Sequence, residues 1–264
     1  MLAPERKNEE IHALLLTGGS AFGLAAADGV MRWLEERGIG YQTPWIKVPL
    51  VPSAVMFDLN VGNPLIRPDA KAGYASCENA SGENLTEGNF GAGTGATVGK
   101  WNGVEYWMKG GVGGASRTAG ELTVGVLAVV NAVGDIVDEN GKIISGARSN
   151  RGDFFGDKDS VRVFARGKVL ERANTTLIVT ATNADLSKVE LHRVCQRMHD
   201  GMARAIIPVH TSYDGDVTFA LSSGSAHADF DFVAEIAADL SAKAIRSAVG
   251  AAKSVQGIPG MATN

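Results

Sequence analysis

ELTVGVLAVVNAVGDIVDENGKIISG, residues 121–146, is the stretch on which the fold turns. Residues 121–134 are almost wholly apolar and rich in valine, which reads as a buried strand. From Asp135 the pattern reads as a hairpin turning at Glu139-Asn140-Gly141. Working outward toward the C-terminus, TTLIVTATN (175–183) is a second strong strand. AIIPVHT (205–211) and DGDVTFALSSG (214–224) read as two more strands or one bent one. Working back toward the N-terminus, HALLL (12–16) reads as a short buried strand and WIKVPLVPSAVMFDL (45–59) as an extended, edge-like segment.

Helical patterns separate these strands. Phe22, Ala25, Ala26, Val30 and Leu34 recur at steps of three and four within 21–37, and Gly38 ends the pattern. A helical stretch is expected near Pro68 to Asn79. Asp185 is expected to cap a helix reaching about Arg204, with Leu191, Cys195, Met198 and Met202 on one stripe. A final helix is expected from about Phe230 to Ala252, with Phe232, Ile236, Leu240 and Ala244 facing inward. Residues 147–173, charged and weakly patterned, read as an exposed linker. Strands grouped in the middle and helices at intervals predict a layered α/β or α+β sandwich.

Composition narrows the function. The chain has 264 residues and a net charge of -4, with no basic block, which argues against nucleic-acid binding. The longest apolar run, around Val124 to Val133, is too short to span a bilayer. MLAPERKNEE opens the chain without the apolar core of a signal peptide. Cys77 and Cys195 form no CxxC pair, so reduced thiols in a cytoplasm are expected. The 33 glycines are well above a usual level of roughly 7%, and ten lie in residues 91–120, so tight turns and closely packed layers are expected.

Several motifs imitate chemistry that their spacing does not support. LLLTGGSAFG (14–23) resembles the start of a dinucleotide site, but Gly18, Ser20 and Gly23 leave the middle glycine of GxGxxG as serine. Close strand-to-helix packing explains the glycines as well. Ser20 fails the GxSxG elbow because Phe22 stands where glycine is needed. In GAGTGATVGKW (91–101) only three residues separate Gly95 from Gly99, and Trp101 follows Lys100, which excludes a Walker A loop. Lys100 is then either an exposed lysine on a glycine-rich turn or a lysine near a reacting centre. Asp214 and Asp216 flank Gly215 in what could be a plain Asp-Gly turn. The five histidines form neither HxxxH nor HxH, so no metal site is expected. Asn174-Thr175 marks the junction of the linker and a strand. Threonine is common there for its β propensity, yet a threonine so placed can also cleave the bond before it and act as an N-terminal nucleophile.

LLLTGGSAFGLAAADGVMRWLEERGIGY (14–41), VPSAVMFDL (51–59), GAGTGATVGK (91–100), LAVVNAVGDIVD (127–138), NTTLIVTATNADLSKVELHRV (174–194) and HTSYDGDVTFALS (210–222), in this order and over almost the whole chain, resemble the DmpA-like aminopeptidases. These are also called L-aminopeptidase/D-esterases, and relatives include β-peptidyl aminopeptidases and endo-type nylon-oligomer hydrolases. The resemblance implies an α+β fold, a four-layer α-β-β-α sandwich. It also implies one hydrolase domain, 1–264, that cuts itself between Asn174 and Thr175 into an α chain, 1–174, and a β chain, 175–264. Thr175 would be the nucleophile and its freed α-amine the general base. Asn131 would donate to the substrate oxyanion, Lys100 would sit near the nucleophile, and Asp214 and Asp216 would match the acidic pair of the nylon-hydrolase branch.

The implied substrates are peptides with a free amino terminus, amino-acid amides or esters, and ω-amino-acid oligomers, and the acidic pair leans toward the last. No cofactor or metal is implied, and a homo-oligomer is expected. The family carries several tens of residues before the segment that opens this chain, so a sandwich without its N-terminal strands is expected. At Phe57 several members carry a tyrosine near the active site, and phenylalanine cannot donate a hydrogen bond. Two other functions remain open at this point: acyl transfer of the ornithine-acetyltransferase type, against which TGGSAFG and DGD argue, and a non-catalytic truncated sandwich.

Overall fold

A computed structural model describes residues 1–83, 85–158, 161–162 and 174–263. The chain divides into two units, Met1–Asn84 and Leu85–Asn264.

In the first unit, β1 (Leu15–Thr17) pairs in parallel with the later β4 (Ser53–Val55). The expected strand at 12–16 is therefore shorter and shifted. A short 3-10 segment, Ser20–Ala25, precedes α1 (Ala26–Glu36). Ala26, Val30 and Leu34 are buried as their spacing predicts, but Phe22 is 56% exposed. It lies before the α-helical turns begin, so the 3.6-residue period does not reach it, and the Arg67 guanidinium covers its ring at 3.9 Å. β2 (Tyr41–Gln42) and β3 (Lys47–Val48) form a small antiparallel pair. Phe57 follows β4 in this unit. Asp69 caps α2 (Ala70–Glu78) by accepting the Ala72 N–H at 2.9 Å. Gly29 of α1 and Gly73 of α2 let the two helix backbones touch, because a Cβ at either would meet a carbonyl oxygen of the other helix within 2 Å.

The second unit opens with β5 (Thr97–Val98) paired to β6 (Met108–Lys109). β7 (Gly111–Ala119) and β8 (Leu122–Asn131) follow, then the predicted hairpin, β9 (Asp135–Val137) and β10 (Ile143–Ser145). β11 (Thr175–Ala184), α3 (Lys188–Ala203), β12 (Ile206–Ile207), β13 (Val217–Ala226) and α4 (Phe230–Gly250) complete it. The main sheet runs in the order β13-β11-β8-β7, with β11 parallel to β13 and antiparallel to β8. Alternation sends Val124, Val126, Ala128 and Val130 of β8 to one face, where they share a core with Ile236, Leu240, Ala244 and Ala248 of α4 and Val194 and Met198 of α3.

Three sequence expectations change here. The cap of α3 is Ser187, not Asp185: Ser187 Oγ accepts the Glu190 N–H, and the Glu190 carboxylate accepts the Ser187 N–H at 2.8 Å, a capping box. Asp185, the residue after β11, is still tied to the sheet, its N–H donating to the Ala226 carbonyl. Phe232 is exposed, because steps of four drift about 40° each against a 3.6-residue period, and three such steps separate it from Ala244. The linker reading of 147–173 fails at its start. Ala147 is buried with Trp101 and Val133, and Phe155 and Tyr213 pack against them. Asp135, fully buried, organises this corner by accepting the Ala147 N–H at 2.8 Å, the Trp101 indole N–H at 2.9 Å and the Arg162 guanidinium at 3.2 Å. The remainder of that stretch, 159–160 and 163–173, lies outside the described residues. No described helix is long and apolar enough to cross a membrane.

Candidate active site

Thr175 is the first residue of β11, and the antiparallel register sets it directly opposite Asn131, the last of β8. Both are odd-numbered positions, so both project from the sheet face opposite α3 and α4. Thr175 is 8% exposed. Its Oγ donates to the Asn174 carbonyl oxygen at 2.6 Å. That same oxygen accepts the Gly215 backbone N–H at 2.8 Å. The Asn174 side-chain amide donates to the Tyr213 carbonyl at 3.1 Å, and Asn174 bridges in parallel to Asp214. The 174–175 peptide is thus clamped against the loop that leads into β13.

The two aspartates serve different parts of this clamp. Asp216 Oδ1 accepts the Thr176 N–H at 2.7 Å, one residue past the junction. Asp214 Oδ1 accepts the Val133 N–H at 3.2 Å, and its Oδ2 accepts the Thr211 hydroxyl at 2.6 Å. Burial, reinforced by the neighbouring Asp216 charge, raises the Asp214 pKa above the usual carboxylate range.

Lys100 lies beneath the junction. Its Nζ donates to the Asn131 carbonyl at 3.0 Å and to Asn131 Oδ1 at 2.8 Å. Asn131 Oδ1 also accepts the Thr97 N–H at 3.0 Å, so the amide is turned with its oxygen toward Lys100 and its nitrogen away. Lys100 is 1% exposed. Desolvation lowers its pKa to about 7; the Asp214 charge opposes the shift and Lys109, also fully buried, adds to it.

The structure therefore brings Asn174, Thr175, Asn131, Lys100, Asp214 and Asp216 into one neighbourhood of the second unit. Sequence reading missed Gly215, whose contribution is a backbone N–H that no side-chain pattern announces. It also missed Lys109 and a pair of histidines, His199 and His210, which touch although neither HxxxH nor HxH joins them. A cavity of about 400 Å³ is lined by Gly156, Lys158, Arg162 and Ile207 among others, and contains none of the junction residues. Among the described residues no group of three or more His, Cys, Asp or Glu could hold a metal ion.

Comparison with known proteins gives the same direction. Residues 2–263 match peptidase family S58. An uncharacterized aminopeptidase of Mycobacterium leprae is 41% identical over 98% of this chain and 77% of its own length. A 6-aminohexanoate-oligomer endohydrolase of Agromyces is 35% identical over 80% of this chain and 60% of its own. The solved L-aminopeptidase D-Ala-esterase/amidase of Ochrobactrum anthropi, described as a variant of the Ntn hydrolase fold, superposes with a TM-score of 0.63 at 22% identity. That superposition covers 87% of this chain and 63% of the solved one, so this chain spans less than two thirds of that protein. The likeness shows the fold: the layered α+β sandwich expected from the sequence.

Proposed function

The chain belongs to peptidase family S58, and from that premise we propose that it is a self-processing amide hydrolase with Thr175 as its nucleophile. The observation that carries this reading is the pair of donors on one oxygen: Thr175 Oγ–H and Gly215 N–H both address the Asn174 carbonyl. Thr175 Oγ attacks the Asn174 carbonyl carbon, and the charge that develops on the oxygen is held by the Gly215 N–H. The C–N bond to Thr175 breaks, nitrogen takes the proton, and the Asn174 acyl group is left as an ester on Oγ. Water hydrolyses the ester, leaving a carboxylate on Asn174 and a free hydroxyl and α-amine on Thr175.

In the processed enzyme the α-amine is the general base. An ordinary α-amine titrates at about 7.7–8.0, close to working pH, which suits proton transfer. Thr175 Oγ attacks the substrate amide, the amine takes the hydroxyl proton and hands it to the leaving nitrogen, and water releases the acyl product. Asn131 Nδ2 donates to the substrate oxyanion, a role whose loss elsewhere costs roughly 2.7 to 4 kcal/mol. Lys100 holds that amide in its orientation. Asp216 holds the Thr176 N–H and so the first turn of the strand that carries the nucleophile. Substrates are amides of short peptides, amino acids or ω-amino acids. The unbridged Cys77 and Cys195 support a reducing compartment, the cytoplasm.

Intact mass after expression tests the scheme without knowledge of the substrate. Wild type gives fragments 1–174 and 175–264, and Thr175→Ala stays whole and inactive. A single unbroken wild-type chain that hydrolyses amides defeats the proposal.

A further inference from the structure

Residues 251–262, after α4, fold into a small hook. The Ala252 carbonyl accepts the Ala262 N–H at 2.9 Å, and Ser254 Oγ accepts the Gly260 N–H at 3.0 Å. Val255 and Ile258 exchange backbone hydrogen bonds at 3.1 and 2.9 Å across a tight turn. Its central residues, Gln256 at φ +51 and Gly257 at φ +80, are both left-handed, as a type I′ turn requires. Ala252 and Ile258 are buried, so the hook is seated on the second unit.

The hook holds two points that lie on the other side of the 174–175 junction. Asn89 Oδ1 accepts the Lys253 N–H at 2.8 Å, and Asn89 Nδ2 donates to the Lys253 carbonyl at 3.0 Å, a two-bond bridge of the kind that one strand gives another. The Pro259 carbonyl accepts the Lys109 N–H at 2.8 Å. Lys109 ends β6 and is fully buried, and its Nζ donates to the Thr94 carbonyl at 2.9 Å. Asn89 and Thr94 belong to one turn, which also contains Gly91, Gly93 and Gly95. So much glycine makes a backbone expensive to fix in one conformation, and bonds from outside the turn offset that cost.

The turn runs straight into β5, where Thr97 stands opposite Lys109. The Thr97 N–H and Lys100 Nζ both donate to Asn131 Oδ1 and so decide which way the amide nitrogen faces. Slack in the turn or in β6 is passed to Thr97, and from Thr97 to Asn131. An oxyanion donor has to stand about 2.7–3.1 Å from the developing charge, so a small rotation of the amide spoils it.

We propose that the hook is a positioning element for Asn131: holding Asn89 through Lys253 and β6 through Pro259, it fixes the β5–β6 pair and with it the Thr97 N–H that aims the Asn131 amide. Asn89 is the positioning side chain through which it acts. The proposal rests on the reading of Asn131 as oxyanion donor for its kinetic consequence and not for its structural one.

The test uses two variants. Asn89→Ala unties one hold. Gly260→Val opens the hook itself, because an added Cβ would stand 2.3 Å from the Ala252 carbonyl oxygen. In the uncleaved Thr175→Ala chain, amide hydrogen exchange read by NMR should speed up at Thr97 by about 10-fold or more in both variants, while the β8–β11 ladder keeps its protection, as a local opening requires. Unchanged exchange at Thr97 in either variant, or faster exchange spread through the ladder, overturns the proposal. In the self-processing chain each variant should lower kcat about 10-fold with KM little changed, a part of the roughly 10²–10³ that a missing oxyanion donor costs. In an Asn131→Ala background the same substitutions should change kcat by less than about twofold, since the group they position is gone. Equal losses in both backgrounds, or no loss with Asn131 present, overturn the positioning role. Asn131→Ala with wild-type kcat would instead strike the oxyanion reading, and a wild type that hydrolyses no amide would strike the Thr175 reading; in both cases the exchange result decides the hook.

Discussion

An ammonium group away from water is costly, and Lys100 carries that cost at the heart of the site. With its pKa lowered to about 7, the folded chain releases the Lys100 proton well before the unfolded chain does. Between about pH 7 and the ordinary lysine range near 10.4 the unfolded state therefore binds more protons, and stability climbs with pH across that window. Below pH 7 both states are protonated and the full cost of burial remains. Lys100→Met should remove this slope. In the uncleaved Thr175→Ala background, urea unfolding at pH 6.5 should show Lys100→Met more stable by about 3 kcal/mol, net of the lost hydrogen bonds to Asn131. The advantage should shrink toward pH 10. An advantage that does not change with pH would mean that Lys100 is not the group that titrates. The stability lost at neutral pH is the cost of keeping a neutral-leaning amine against Asn131.

At the scale of elements, the site is held up by how closely α4 lies on the sheet. Gly113 in β7 faces α4, where an added Cβ would stand 2.3 Å from the Ala248 nitrogen and 2.4 Å from the Ala244 carbonyl oxygen. Gly201 in α3 does the same against the Ala238 carbonyl of α4 at 2.2 Å. Small residues on α4, among them Ala237, Ala238, Ala244 and Ala248, complete the contact. This is where much of the glycine and alanine excess is used. Gly113→Val forces backbone apart from backbone, and no flexible side chain can yield. It should cost about 3 kcal/mol or more, read as a fall in the thermal midpoint of the uncleaved chain. Gly250, with open space around its missing Cβ, is the control and should tolerate alanine.

At the scale of the whole molecule, a cut between 174 and 175 passes through a finished sheet. β11 lies between β8 and β13, so its partners belong to different fragments: β8 to the first and β13 to the second. α4, in the second fragment, shares its core with Val124, Val126, Ala128 and Val130 of β8, in the first. Eight consecutive β8–β11 residue pairs, from Thr175↔Asn131 to Thr182↔Val124, would also have to be given up for the fragments to part. The two pieces should therefore elute together in native size exclusion and separate only after denaturation. Separate elution in native buffer would show that the sheet does not survive the cut, and would leave the site without Asn131 and Lys100.

Local pattern made much of this visible in advance. The apolar, valine-rich run in 121–134, the turn at Glu139-Asn140-Gly141 and the β-branched run from Thr175 are properties of neighbouring residues; strands formed within or along them, though the first ends at Asn131, three residues short of the run read for it. Capping went astray by two residues because Asp185 is still hydrogen-bonded to the edge of the sheet, a fact about Ala226 and not about its own neighbours. The resemblance of the motifs pointed to Asn131, Lys100, Thr175 and the aspartates as a set, but periodicity alone said nothing of their meeting.

Sequence by itself determined which segments extend, which coil, and where a threonine stands at the head of a strand, because side-chain alternation and turn chemistry act over a few residues. Only the tertiary structure decided that Thr175 faces Asn131, that Lys100 is sealed from water, that Gly215 lends its N–H to the Asn174 carbonyl, and that His199 and His210 stand in line behind Asp216. Those are matters of strand register and burial, and both are set by residues far away along the chain.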